Sequence, residues 1–142
     1  MDIRPIRKAT KEIAEDVNKL LCQLTGRPSV LSTVALNSLL HERDFVILGA
    51  FDGRGRLVGI ATVYAKNILT KRVAWIEDVV VDETHRGQGI GEALVRGLIA
   101  SAYRMWAKEI NLTSNTTREA ANALYQKLGF ERRSTNVYRI RL

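Results

Sequence analysis

The chain has 142 residues and is poor in the residues that build special frameworks: one cysteine, two histidines and two prolines. A single cysteine, Cys22, excludes an internal disulfide framework. His41, His85 and Cys22 fall at no metal-ligand spacing, so no metal site is expected. No apolar run approaches the roughly 18 residues of a membrane span. The opening MDIRPIRKATKEIAED mixes charges and lacks the apolar segment of a secretory signal. The expected compartment is therefore reducing and cytoplasmic, and the NLT (111–113) and NTT (115–117) stretches are chance matches to the glycosylation pattern. Linkers, repeats and low-complexity stretches are also missing, so residues 1–142 read as one domain.

Positive charge is not lacking. Lys and Arg number 22 against 15 acidic residues, a net +7. Such a balance attracts anions, whether nucleic acid, an acidic membrane surface or a polyanionic small molecule. The basic residues are scattered, with the densest run, ERRSTNVYRIRL, at the C-terminal end. There is no zinc spacing, aromatic-basic strand or basic arm to favour nucleic acid.

Periodicity divides the chain into alternating elements. DIRPIR alternates as a strand, and Ile13, Val17, Leu20 and Leu24 share one face of a helix that begins at Thr10 and ends at Gly26 and Pro28. A second helix spans about 32–42. FVILGAF and LVGIATVYA flank DGRGR, a hairpin signal. VAWIEDVVV reads as a central strand, followed by a glycine-rich turn and a helix to about residue 107. EINLTS, then the helix of TTREAANALYQKLGF, then a hairpin of FERRS and VYRIRL complete the chain. Thr116 and Glu119 form a capping-box pattern at the last helix. The order βααβββαβαββ predicts an α/β fold with a mixed sheet, antiparallel in its meander and parallel around the crossover at 73–113.

The glycine turn carries the strongest chemical signal. Gly87, Gly89 and Gly91 stand between an apolar strand and an amphipathic helix, where glycine is costly without a reason. Glycines let the backbone approach a ligand, and the free amides of a helix's first turn attract an anion. Neither the dinucleotide GxGxxG nor the GxxxxGK[ST] pattern is present. What is present is Arg86-Gly87-Gln88-Gly89-Ile90-Gly91, which resembles the R/Q-x-x-G-x-G/A signature of the GNAT superfamily of N-acetyltransferases.

The resemblance covers roughly residues 73–133 and runs through four features in order: the valine-rich strand, the signature, the NLTSNTTREAANALYQKLGF segment, and the element order. It implies that acetyl-CoA is the cosubstrate. Its pyrophosphate would lie against Arg86, Gly87, Gln88, Gly89, Ile90 and Gly91, and its pantetheine arm along the backbone of Val79, Val80 and Val81. Asn115 and Asn122 match asparagines that contact the cofactor in the family, and Tyr125 matches the tyrosine beside the thiol. Leu124 departs from the aromatic residue often found there.

Direct acetyl transfer needs a neutral amine, a polarised thioester and a departing thiolate. Tyr125 is the candidate general acid, although a packed aromatic would read the same way. Glu77 and Asp78 interrupt an apolar strand, and a charge buried there needs a task or a partner. The expected task is that of general base, favouring Glu77, and the bland reading is an ion pair with an arginine. Alternation groups Glu77 with Trp75, Val79 and Val81, but a bulge would shift that phase by one, so the sequence does not decide which carboxylate faces the cleft. Cys22 lies opposite the apolar helix face and is not expected to act as a nucleophile. His41 suits a helix end, and His85 reads as a loop residue.

The expected acceptor is a small-molecule amine, and the net charge favours one bearing an acidic group. The resemblance implies an acceptor groove walled by the loop TGRPSVLS and by RRSTN of the last hairpin, with Arg27, Arg132 and Arg133 as candidate contacts. Alternatives are a basic nucleic-acid-binding module or a catalytically silent acyl-CoA sensor on the same fold. The sequence does not decide between a monomer and a homodimer.

Overall fold

The turn chemistry of the sequence produces a meander. The computed structural model describes residues 1–142 and contains β1 (Asp2–Pro5), β2 (Phe45–Phe51), β3 (Leu57–Asn67), β4 (Arg72–Val81) and β5 (Glu109–Asn111). They form one sheet in sequence order, antiparallel from β1 to β4, with β4 and β5 parallel. The β2–β3 hairpin is tied by Asp52, whose carboxylate accepts from the amides of Arg56 and Arg54 and from the Arg56 guanidinium. These bonds, the Arg56 amide foremost, bring its pKa down to about 2.

Helices α1 (Lys11–Thr25) and α2 (Thr33–Leu40) begin at side-chain caps. Thr10 Oγ1 accepts from the Ile13 amide and Ser32 Oγ from the Ala35 amide. α1 ends at Gly26 in the left-handed conformation, and His41 caps α2. Their apolar faces cover one side of the sheet in a cluster that includes Val17, Leu20, Leu36, Ile47, Phe51, Ile60 and Val80. On the other side, α3 (Ile90–Arg104) and α4 (Glu119–Lys127) bury a second cluster with Leu48, Ala61, Val63, Ile76, Leu94, Leu98 and Tyr125. α3 approaches the sheet most closely at Gly97, where a Cβ would sit 2.6 Å from Leu48 Cδ1. No helix is long and apolar enough to cross a membrane.

The mixed α/β sheet and its parallel crossover match the sequence reading, but the order stops at βααβββαβα. The expected C-terminal hairpin does not form. Residues 131–142 contain no strand and make no backbone hydrogen bond. Both sheet faces are already covered by helices, so Val137, Tyr138, Ile140 and Leu142 find no core to bury and stay exposed. β5 has three residues where six were expected, and α3 ends at Arg104, before the positive-φ turn at Trp106. The Thr116–Glu119 capping box also fails to form. α4 starts from Arg118 without a side-chain cap, because Asn115 Oδ1 takes the Thr117 amide and closes a tighter turn ahead of it.

Candidate active site

Two departures from regular pairing open the sheet at one place. β4 and β5 pair only from Val73↔Glu109 to Trp75↔Asn111, after which the two chains separate. On the other edge of β4, the register against β3 shifts between Ile60↔Val80 and Thr62↔Glu77, so Asp78 and Val79 together stand opposite Ala61. Asp78 has φ 51°, which marks it as the bulged residue. The bulge flips the phase of the strand: Ile76 belongs to the α3-side core and Val80 to the α1-side core. Thr62 is buried, and its hydroxyl donates to the Glu77 carbonyl at 3.0 Å, fixing β4 where the bulge begins.

The strand leads to a 3-10 turn at Glu83–His85 and then to the glycine loop. Asp82 anchors the turn. Its carboxylate accepts from Thr84, Gln23 and His85 and is held well below the usual carboxylate range, chiefly by Thr84. Gly87 and Gly89 take φ 75° and 77°, and Gly89 is the N-cap of α3. A Cβ at either would meet nothing within 4 Å, so conformation and open space, not packing, require glycine there. At Gly91 a Cβ would make ordinary contacts with Leu124 and Val81. The amides of residues 87–92 have no hydrogen-bond partner in the chain. Together they form a concave row of free donors at the positive end of α3. Arg86 lies beside it, with Nε donating to the Val81 carbonyl at 3.1 Å. The donor set fits a phosphate or pyrophosphate.

Where β4 and β5 part, a cavity of about 270 Å³ opens, lined by the bulge and by residues of α1, α4 and the chain after β5. Glu77, Asp78 and Tyr125 meet there; the sequence left open which of the two carboxylates would face the cleft, and both line it. Neither carboxylate has a salt-bridge or side-chain hydrogen-bond partner, so the bland ion-pair reading is excluded. Burial pushes both above the ordinary range, and the Asp78 charge raises Glu77 further. Tyr125 is 9% exposed, packs edge-on against Phe130 at 5.9 Å, and makes no hydrogen bond through its hydroxyl within the chain. Burial raises its pKa and the nearby Arg118 charge offsets part of the rise, so the phenol is protonated at neutral pH.

The remaining sequence candidates divide. Val79 and Asn115 line the cavity. Val80 turns its side chain into the α1-side core and Val81 packs on the α3 side, and both pair with β3 opposite Ile60 and Gly59. Ile90 is buried under the loop. Asn122 donates to the Asn115 carbonyl at 2.9 Å, bracing the turn before α4. Arg27, Arg132 and Arg133 are not on the cavity wall. Cys22 is exposed and stands apart from the cavity.

Six wall residues were not among the sequence candidates: Leu24, Ile76, Leu112, Thr113, Ser114 and Arg118. Ser114 Oγ is buried without a partner. No local signal marks them: EINLTS reads as a six-residue strand, and the early end of β5 at Asn111 is what turns residues 112–115 into a cavity wall.

A model of the "Acetyltransferase (GNAT) family" matches residues 15–130. The chain is 34% identical over 119 residues to a glucosamine 6-phosphate N-acetyltransferase of Trypanosoma brucei brucei, covering 79% of this chain and 78% of that protein. It is 33% identical over 137 residues to glucosamine 6-phosphate N-acetyltransferase 1 of Oryza sativa subsp. japonica, covering 90% and 79%. Among solved structures, a putative acetyltransferase from Agrobacterium tumefaciens str. C58 superposes with TM-score 0.85 at 24% identity over the whole of both chains, a likeness of fold.

Proposed function

Since the chain belongs to the GNAT acetyltransferase family and is an acetyl-transferring enzyme, we propose that it moves the acetyl group of acetyl-CoA to a primary amine of a small molecule, directly and within a ternary complex. The family generally uses acetyl-CoA as its acetyl donor. The observation that carries the reading is a run of three features along β4 and the loop that follows it. These are the free-amide loop, the parting of β4 from β5, and the cavity that holds Glu77, Asp78 and Tyr125.

Each residue has a task that its surroundings support. The amides of Gly87 to Gly91, with Arg86, hold the pyrophosphate. The backbone of Val79 to Val81, left unpaired toward β5, receives the pantetheine arm as an added strand would be received. Glu77, its pKa raised by burial, takes the proton of the attacking amine, directly or through water. Tyr125, protonated and with a free hydroxyl, gives a proton to the departing thiolate. No cysteine lines the cavity, which supports direct attack over an acyl-enzyme. Positioning then accounts for much of the rate.

The cavity lies just below the ~300–1000 Å³ of common ligand pockets. That size supports a metabolite-sized acceptor, and the two glucosamine 6-phosphate N-acetyltransferases among its relatives point to amino-sugar phosphates as the first to try. The test is thiol release from acetyl-CoA over amino sugars and their phosphates, amino acids, polyamines, aminoglycosides and peptides. Release that depends on one class of small amine is expected. Tight acetyl-CoA binding with no release on any amine would overturn the proposal in favour of a silent sensor.

A further inference from the structure

The cavity holds three charged side chains, and none of them has an opposite charge within ion-pair distance. Glu77 and Asp78 stand on the bulge of β4; Arg118 stands at the start of α4. Elsewhere in the chain, acidic side chains that meet a lysine or arginine form ion pairs: Asp52 with Arg56, Glu92 with Arg96 and Lys127, Glu109 with Lys71. The cavity charges form no such pair although they line one space. The single side-chain hydrogen bond of Arg118 is long, from Nη2 to the Leu24 carbonyl at 3.5 Å. Leu24 is the α1 residue of the cavity lining, so this bond ties the guanidinium to another lining residue. No cation brings the two carboxylates back down from their raised state, whereas Arg118 does act on Tyr125. The positive and negative groups therefore line one cavity without pairing. On the same wall, Ser114 Oγ is buried and unpartnered.

Unpaired charges of opposite sign, held apart in one small cavity, are complementary to a ligand that is itself dipolar. An ammonium is drawn to the Glu77 and Asp78 end, which must later take its proton. A negative group on the same molecule meets the planar guanidinium, which suits bidentate contact with phosphate or carboxylate. We propose that Arg118 is the specificity-determining residue for the acceptor, gripping a phosphate or carboxylate carried by the amine and so orienting its nitrogen toward Glu77. The inference rests on the acetyltransferase reading of the same cavity. It assigns the acidic-group contact to a residue on the cavity wall, where the loop arginines 27, 132 and 133 are not.

The experiment is calorimetric binding to the protein saturated with coenzyme A, so that it does not depend on turnover. Matched pairs are compared: glucosamine with glucosamine 6-phosphate, ethanolamine with phosphoethanolamine, and an amino acid with its amide. For at least one pair the wild type should prefer the anionic member by about 10- to 100-fold, the range of a charge-assisted contact. In Arg118→Gln that ratio should fall toward one, and Arg118→Lys should keep part of it. The inference is overturned if no pair shows a preference, if the ratio survives in Arg118→Gln, or if the variant weakens coenzyme A instead, which would place Arg118 on the cofactor. Absence of thiol release with the ratio behaving as expected would count against the proposed reaction and leave the anion contact standing.

Discussion

Tyr125→Phe separates catalysis from packing with one oxygen atom. The ring is buried and stacks edge-on with Phe130, so its packing is worth a good deal: Tyr125→Ala would cost about 3–5 kcal/mol of stability. The hydroxyl has no partner in the chain, so removing it leaves no donor or acceptor stranded. The Phe variant should melt within about 0.5 kcal/mol of wild type. If the phenol protonates the leaving thiolate, the same change removes a general acid, a loss of about 10²–10⁴ in turnover, or roughly 3–5 kcal/mol of barrier at 1.36 kcal/mol per factor of ten. The measurements are kcat from thiol release at saturating acetyl-CoA, affinity for coenzyme A by calorimetry, and Tm by scanning calorimetry. The pH profile adds a separate mark. The acid must be protonated and burial raises its pKa, so the alkaline decline that Tyr125 causes should begin above the usual phenol value of about 10 and vanish in the variant. A kcat within about tenfold of wild type, below the range for a general acid, would refute the assignment and leave Tyr125 as a packed aromatic.

Gly89→Glu should abolish acetyl-CoA binding while the far-ultraviolet circular dichroism spectrum is kept, because a side chain at φ 77° projects into open space with a negative charge beside the free amides; normal affinity would remove the loop from the cofactor site. Glu77→Gln should lower kcat/KM and remove the acid limb that begins above the usual glutamate value, seen in a pH series of thiol release. The folded pKa of Glu77 is raised, so its charged form opposes folding, and stability falls as pH rises from the unfolded toward the folded pKa. The Gln variant should therefore melt slightly higher at neutral pH, a difference that disappears below the unfolded pKa. Leu94→Ala, at a fully buried site on α3, should cost about 2–5 kcal/mol in urea titration without changing the acceptor preference.

The sheet was legible because its signals were local. Alternation and the DGRGR turn placed β2, β3 and β4, and the glycine loop between an apolar strand and an amphipathic helix placed the crossover. VYRIRL misled for the same reason. It carries the alternation of a strand, but a strand also needs a face to cover, and helices α1 to α4 had already taken both. That competition is tertiary and leaves no mark in the local pattern. The Thr116–Glu119 pattern lost to Asn115 in a similar way, through a turn whose choice depends on how the chain leaves β5.

The site was half legible, and the dividing line is the bulge. The sequence shows two carboxylates in an apolar strand but assigns them to opposite faces, because alternation is a rule about paired strands. Opposite Ala61 the pairing slips by one residue, Asp78 takes a left-handed backbone, and both carboxylates reach the same cavity. The same slip lets Ile76 serve the α3-side core and Val80 the α1-side core, so one irregularity feeds two cores and opens the site. An aspartate at φ 51° is strained far less than a β-branched residue would be. Any of the valines that follow would resist that backbone, so the position of Asp78 in IEDVVV sets where the strand can bulge and, through it, where Glu77 points.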